Sequence, residues 1–232
     1  MNINKINYRL GFADGSEKQL ELQLRSDSLA PVGWVPNKPP QWAALSYNQC
    51  KNCPLNPEKV TYCPAALSLA KLVEQCHELD PLDSTVLKVT AARRVTAQTT
   101  TVQKAIGSFI GLLMATSDCP HAAFFRPLAR FHQPLASESE TMYRAVSAFL
   151  LAQYFRHESG QEAQLDTQGM VDIYQNLEIV NTALAGRLKA SGEAGVVVQC
   201  MTEWGVFSGM FPMRLDELMQ ELRPLFSAYL PD

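Results

Sequence analysis

The spacing of four cysteines constrains this chain more than any other feature. Cys50-Lys-Asn-Cys53-Pro is a Cys-x2-Cys knuckle, Cys63-Pro follows nine residues later, and Cys119-Pro-His121 comes far downstream. A tight turn brings two sulfurs two residues apart to one side, so the knuckle can grip one ion. Four thiolates complete a tetrahedral zinc site, and they equally suit an iron–sulfur cluster. A single ion on all four would force the 50–63 loop back onto the middle of the chain, and its binding energy would become folding energy. Cys50, Cys53, Cys63 and Cys119 are therefore the expected metal ligands, with His121 as an alternative to Cys119. Both Cys63 and Cys119 precede a proline that can open a helix, which predicts sulfurs at helix N-termini, where the thiolate is favoured.

Zinc is the first expectation and a [4Fe-4S] cluster the second. There is no second Cys-x2-Cys pair, and nothing else in the chain suggests redox chemistry. The bland alternative is that these are buried cysteines acting as small hydrophobes. Cys76 and Cys200 lie in helical contexts and read as core thiols.

Grouped cysteines carry this meaning only in a reducing compartment. The first residues are polar and offer no apolar h-region, so a signal peptide is not expected and the cytoplasm is. No apolar run reaches the roughly 18 residues a membrane span needs. With 232 residues, 47% hydrophobic and 19% charged, the chain has material for one large domain.

The expected architecture is α+β and mainly α: a small antiparallel sheet on a bundle-like helical body, all in one domain over 1–232. Residues 1–29 read as a β-hairpin. Ile6, Tyr8, Leu10 and Phe12 alternate with polar residues, Asp14-Gly15 signals a turn, and Leu20, Leu22 and Leu24 alternate again. Two strands are marginal alone, which predicts one further strand near 85–95. Residues 30–63 form a Pro-rich connector pinned by Trp34 and Trp42, followed by the cysteine loop. Residues 64–232 make the helical body. Pro64 suits a first helical position, Thr101 a cap, and Ser137 with Glu140 a capping box. The helix after Ser137 is poor in charge beyond Arg144, which predicts a central position. The helix near 166–190 carries Met170, Ile173, Leu177, Val180 and Leu184 at alternating spacings of three and four. That stripe predicts a bundle core, or else a coiled-coil homodimer. A last helix is expected over about Leu215 to Tyr229.

Charge is uneven. Residues 1–116 hold 12 basic and 9 acidic side chains, and residues 117–232 hold 8 and 14. Between Ser84 and Ser137 stand Lys88, Arg93, Arg94, Lys104, Arg126 and Arg130 against Asp118 alone. Arg126 and Arg130, four apart on one helix face, with His132 beyond, predict a small anionic ligand, since guanidinium groups bind phosphate or carboxylate bidentately. Pairing with acids such as Glu138 or Glu140 would make them structural instead. The net charge of −3 argues against general nucleic-acid binding. No Gly-rich phosphate loop, Gly-x-Ser-x-Gly or His-Glu-x-x-His is present.

Cys50-x2-Cys-Pro-Leu, Tyr62-Cys63-Pro-Ala, Ala115-Thr-Ser-Asp-Cys-Pro-His121 and Arg126-Pro-Leu-Ala-Arg-Phe-His132 together resemble an uncharacterised bacterial protein family over most of the chain. The resemblance implies the same compact arrangement and brings no catalytic role. The leading expectation is a non-enzymatic binding or regulatory protein with a structural four-cysteine zinc site. The next is an iron–sulfur protein with a redox or sensing role. The third is an enzyme acting on a small phosphorylated or carboxylated substrate near Arg126, Arg130 and His132.

Overall fold

The structure, a computed structural model, describes residues 2–92 and 94–230. Arg93, one member of the basic run, lies outside them.

Alternation in the first 25 residues produces the hairpin. Strand β1 (Ile3–Gly11) pairs antiparallel with β2 (Glu17–Arg25), Tyr8 opposite Leu20 and Ile6 opposite Leu22. Gly15 adopts a φ of 83°, a left-handed geometry that glycine takes without penalty, and Asp14 Oδ1 accepts the Ser16 N–H. Ile6, Tyr8, Leu10, Leu20, Leu22 and Leu24 are all buried. Each such side chain contributes roughly 1.5–3 kcal/mol by leaving water.

The sheet is larger than the sequence predicts. Residues 85–95 do not form one strand. They hold β4 (Ser84–Ala91) and the start of β5 (Arg94–Thr101), a second hairpin. The connector adds the short β3 (Pro31–Val32), and the order is β3-β2-β1-β4-β5. Beyond it Trp34 donates its indole N–H to Ser68 O at 2.9 Å, and Trp42 is buried as well.

Among the described residues six helices make the body: α1 (Pro64–Cys76), α2 (Val102–Thr116), α3 (Arg126–Arg130), α4 (Glu138–Glu158), α5 (Gln168–Ala190) and α6 (Val196–Leu222). Thr101 caps α2 through the Lys104 N–H. Ten of the fifteen residues of α2 are buried, because the sheet, α1, α3 and α6 surround it. Among the described residues no helix is long and apolar enough to cross a membrane.

Two helix expectations need correction. The last helix begins at Val196, not near Leu215, and runs through Pro212; Arg223–Tyr229 continues as a 3-10 helix. Helix α4 is peripheral. Its capping box forms, yet Leu150, Leu151, Tyr154 and Phe155 are exposed. Asp166 Oδ1 accepts the Gln168 N–H, but Thr167 is the residue that leads into α5.

Buried apolar residues fall into two cores. The larger joins the inner face of the sheet to α1, α2, the second half of α5 and the first half of α6. The smaller holds Met142, Ala145 and Val146 of α4, Met170, Tyr174 and Leu177 of α5, and Phe211, Leu215 and Leu218 of α6. The α5 stripe thus packs within the chain, chiefly against α6.

Candidate functional site

The 41–63 segment is closed by its own backbone. Leu45 N–H donates to Thr61 O and Cys63 N–H to Ala43 O, with an antiparallel bridge at Ala44 and Tyr62. Inside this loop the knuckle turns, Cys53 N–H donating to Cys50 O at 3.0 Å. Cys63 is the residue that opens α1, and Pro64 occupies its first position. Cys119 opens a turn rather than a helix: its carbonyl accepts the N–H groups of Ala122 and Ala123 before the short α3 begins. The backbone N–H groups of His121 and Ala122 nonetheless lie near enough to the Cys119 sulfur to favour its thiolate.

These segments meet. His121 Nε2 lies 2.7 Å from Asn52 O, which joins the turn after Cys119 to the knuckle, and leaves Nδ1 as the free ring nitrogen. Asn52 in turn donates to Asn176 of α5. Burial pushes the Cys50 thiol up to about 11, and Cys63, Cys53 and Cys119 are near enough to raise it further as like charges. Cys119 is likewise raised by burial, with Cys63 and Cys53 adding to it. All four thiols are free. As placed, the sulfurs are not drawn into a closed shell; among the described residues no set of three or more His, Cys, Asp or Glu side chains is spaced to hold an ion. Cys76 and Cys200 are buried elsewhere, Cys200 donating to Gln103 O.

One functional candidate was missed by sequence. Arg187 of α5 is 0% exposed. Its Nη1 donates to Trp42 O and Ala44 O, its Nη2 to Leu45 O, and its Nε has no partner. Among the described residues no carboxylate pairs with it. It lies close enough to Cys50 to favour that thiolate. A lone arginine on a helix carries no sequence signal of this burial.

The predicted anion residues separate. Arg126 pairs with Asp118 at 3.3 Å. Arg130 is exposed. His132 instead lines a cavity of about 920 Å³ between α2, α6 and the 122–144 region, which neither Arg126 nor Arg130 lines. Arg144 does line it, with Nη2 donating to Leu128 O and Phe131 O. His132 Nε2 meets the Tyr8 hydroxyl, Tyr8 is 2.9 Å from Ser108 Oγ, and Leu135 N–H donates to the same Ser108 oxygen. Burial and the nearby Arg144 push His132 down to about 4, so the ring is neutral at pH 7. Burial raises Tyr8 well above the ordinary phenol range. On the α2 wall Gly111 has no room for a side chain, since a Cβ there would meet the Trp204 ring at 3.0 Å.

No curated protein and no solved structure matches this chain. A family model described as "Domain of unknown function (DUF6901)" matches residues 6–227, nearly the full length, and the chain belongs to that family.

Proposed function

We propose that Cys50, Cys53, Cys63 and Cys119 hold one zinc ion and that the chain is a non-enzymatic binding or regulatory protein built around that structural centre. What supports this reading is that four free thiols lie near enough for Cys63, Cys53 and Cys119 to act on the charge of Cys50, beside a fully buried arginine with no carboxylate partner among the described residues. A buried cation is costly unless an anion offsets it. Four thiolates around a divalent cation leave two negative charges, which supplies the offset for Arg187. The N–H groups of His121 and Ala122 near the Cys119 sulfur favour its thiolate in the same way.

Zinc–thiolate bonds of about 2.3 Å set sulfurs roughly 3.8 Å apart. Closing the four thiols on an ion therefore draws them inward and displaces their protons. The ion would fasten the 41–63 loop to the end of α2, and thereby fix the Cys119–Ala122 turn, whose Ala122 also lines the cavity. Such a centre sits beside the cavity and stiffens its wall.

The test is metal analysis of freshly purified protein, prepared without air. One zinc per chain is the expected result. A brown protein with iron would move the centre to a [4Fe-4S] cluster, whose four-thiolate form also balances Arg187. Protein with neither metal overturns the reading.

A further inference from the structure

The cavity beside α2 has features that a simple packing defect would not. Its volume of about 920 Å³ is in the range of small-molecule sites. Trp204, Phe207, Phe125 and Leu128 give it apolar walls, with Trp204 packed against Gly107 and Gly111 of α2. Its charged lining groups are Lys104, Glu138, Glu203 and Arg144; Arg214 pairs with Glu138, and Gln103 donates to Glu203. Arg144 is half-buried, two of its N–H bonds run to backbone carbonyls, and among the described residues no carboxylate lies within ion-pairing distance.

The neighbouring hydrogen-bond chain adds a directed donor. Leu135 N–H already occupies Ser108 Oγ as an acceptor. Ser108 can then donate to the Tyr8 oxygen, and Tyr8 can donate to His132 Nε2. In that arrangement His132 carries its proton on Nδ1, which has no protein partner among the described residues. The neutral ring thus presents an N–H on the wall that it shares with Arg144.

We propose that this cavity binds a small carboxylate with a bulky apolar or aromatic body, its carboxylate held by Arg144 and His132 and its body packed against Trp204, Phe207 and Leu128. Charge complementarity selects the acid: Glu140 acts on Arg144 only from beyond ion-pairing distance, and a ligand carboxylate would give the guanidinium a direct partner. The apolar walls select the body, because burying it removes hydrocarbon surface from water. A phosphomonoester with little apolar surface would leave those walls wet, so the carboxylate is favoured over the phosphate. This site is independent of the metal centre; none of the four cysteines lines it.

The experiment uses the full chain and a matched pair of probes, 1-naphthylacetate and its neutral amide, followed by calorimetry and by Trp204 fluorescence. The acid should bind at least roughly tenfold more tightly than the amide, the size expected of a charge-assisted hydrogen bond. Gly107→Leu should abolish binding of both. A Cβ there meets Trp204 Nε1 at 3.7 Å and Cys200 Sγ at 3.8 Å, ordinary contacts, so a Leu is tolerated at its root and adds bulk at a lining position beside Trp204. Leu is also the better helix former at that position, and circular dichroism checks that the variant is folded. Arg144→Gln should erase the preference for the acid while the amide binds as before. Equal affinity for acid and amide, failure of both to bind at millimolar concentration, or undiminished binding by Gly107→Leu would each overturn the proposal. If Arg144→Gln does not fold, the probe ratio on the parent and the Gly107→Leu result still decide it.

Discussion

Helices α5 and α6 run through both cores, and the two ends of this helix pair are built differently. At one end Val180, Leu184 and Leu188 of α5 face a sheet, α1, α2 and the cysteine loop. At the other, Met170, Tyr174 and Leu177 share a core with α6 and with Met142, Ala145 and Val146 of α4, and Phe125 packs edge-on to Tyr174. The first end is closed by the long-range polar ties of Arg187 to three loop carbonyls, while His121 to Asn52 and Asn52 to Asn176 carry the same loop to the junction of the two ends. The second rests mainly on aromatic packing, with Tyr174 stacked on Phe211 at 3.4 Å between centroids. The cavity lies where the two meet, lined by α2 from one core and by Tyr174 and Leu177 from the other. Identical helices thus give a fixed half and a half with more freedom to open, because what covers them differs. A ligand entering the cavity would lean on the movable side.

The strongest way to break this comparison is to loosen the fixed end. Cys53→Ser should lose the metal and lower the melting temperature by ~10 °C or more, given apparent zinc energies of roughly 10–16 kcal/mol in small domains and ~2–4 °C per kcal/mol at this chain length. Cys200→Ser, away from the centre, should shift melting by no more than a few degrees. Equal melting of Cys53→Ser and the parent would remove the metal from the account of stability.

A smaller effect belongs at the other end. Phe211→Ala removes the stacking partner of Tyr174 and should cost about 3–5 kcal/mol. The loss should stay local: amides of α4 should exchange faster with solvent while those of β1 and β2 keep their protection. If strand and helix amides lose protection together, the two cores unfold as one unit and the contrast between them fails.

Sequence exposed the fixed end better than the movable one. The β1–β2 hairpin was legible because Tyr8, Leu10, Leu20, Leu22 and Leu24 repeat with period two and face one core. Strand β5 was not, since its residues are exposed along most of its length and its threonines show no alternation. The β-branched Thr99–Thr101 run was the only hint. Pro212 hid the length of α6, because proline usually ends a helix. In α4 a low charge density suggested a central helix, yet its apolar residues Leu150, Leu151, Tyr154 and Phe155 face outward.

The knuckle's turn was readable because it closes locally, Cys53 N–H on Cys50 O. Arg187 was not, because only the tertiary fold removes it from water. The anion argument chose Arg126 and Arg130 by helical spacing, but a local acid, Asp118, takes Arg126. Arg144, eighteen residues beyond Arg126, brings the cation to His132 through the packing of α4 on α3. Tyr8, the partner of His132, is 124 residues away in the chain.

That pair supplies the gentlest probe of the boundary between the two ends. His132 titrates at about 4 in the fold, against an ordinary value of 6.5, because burial and Arg144 both oppose its charged form. The unfolded chain therefore takes up a proton between these two values and the folded chain does not. Stability contributed by the neutral ring is complete above pH 6.5, declines as the pH falls through that window, and is fully lost below about 4. The total is at most roughly 3 kcal/mol, at about 1.4 kcal/mol per unit. Urea titrations of the parent at pH 7 and pH 4.5 should differ by about 2 kcal/mol more than those of His132→Gln, which has no such proton to take up. A carboxylate in the cavity should reduce this pH dependence, because its charge offsets the imidazolium that Arg144 otherwise opposes. Parent and His132→Gln curves that fall in parallel with pH would mean the ring is solvated, and that the cavity wall at His132 is open to water in the free protein.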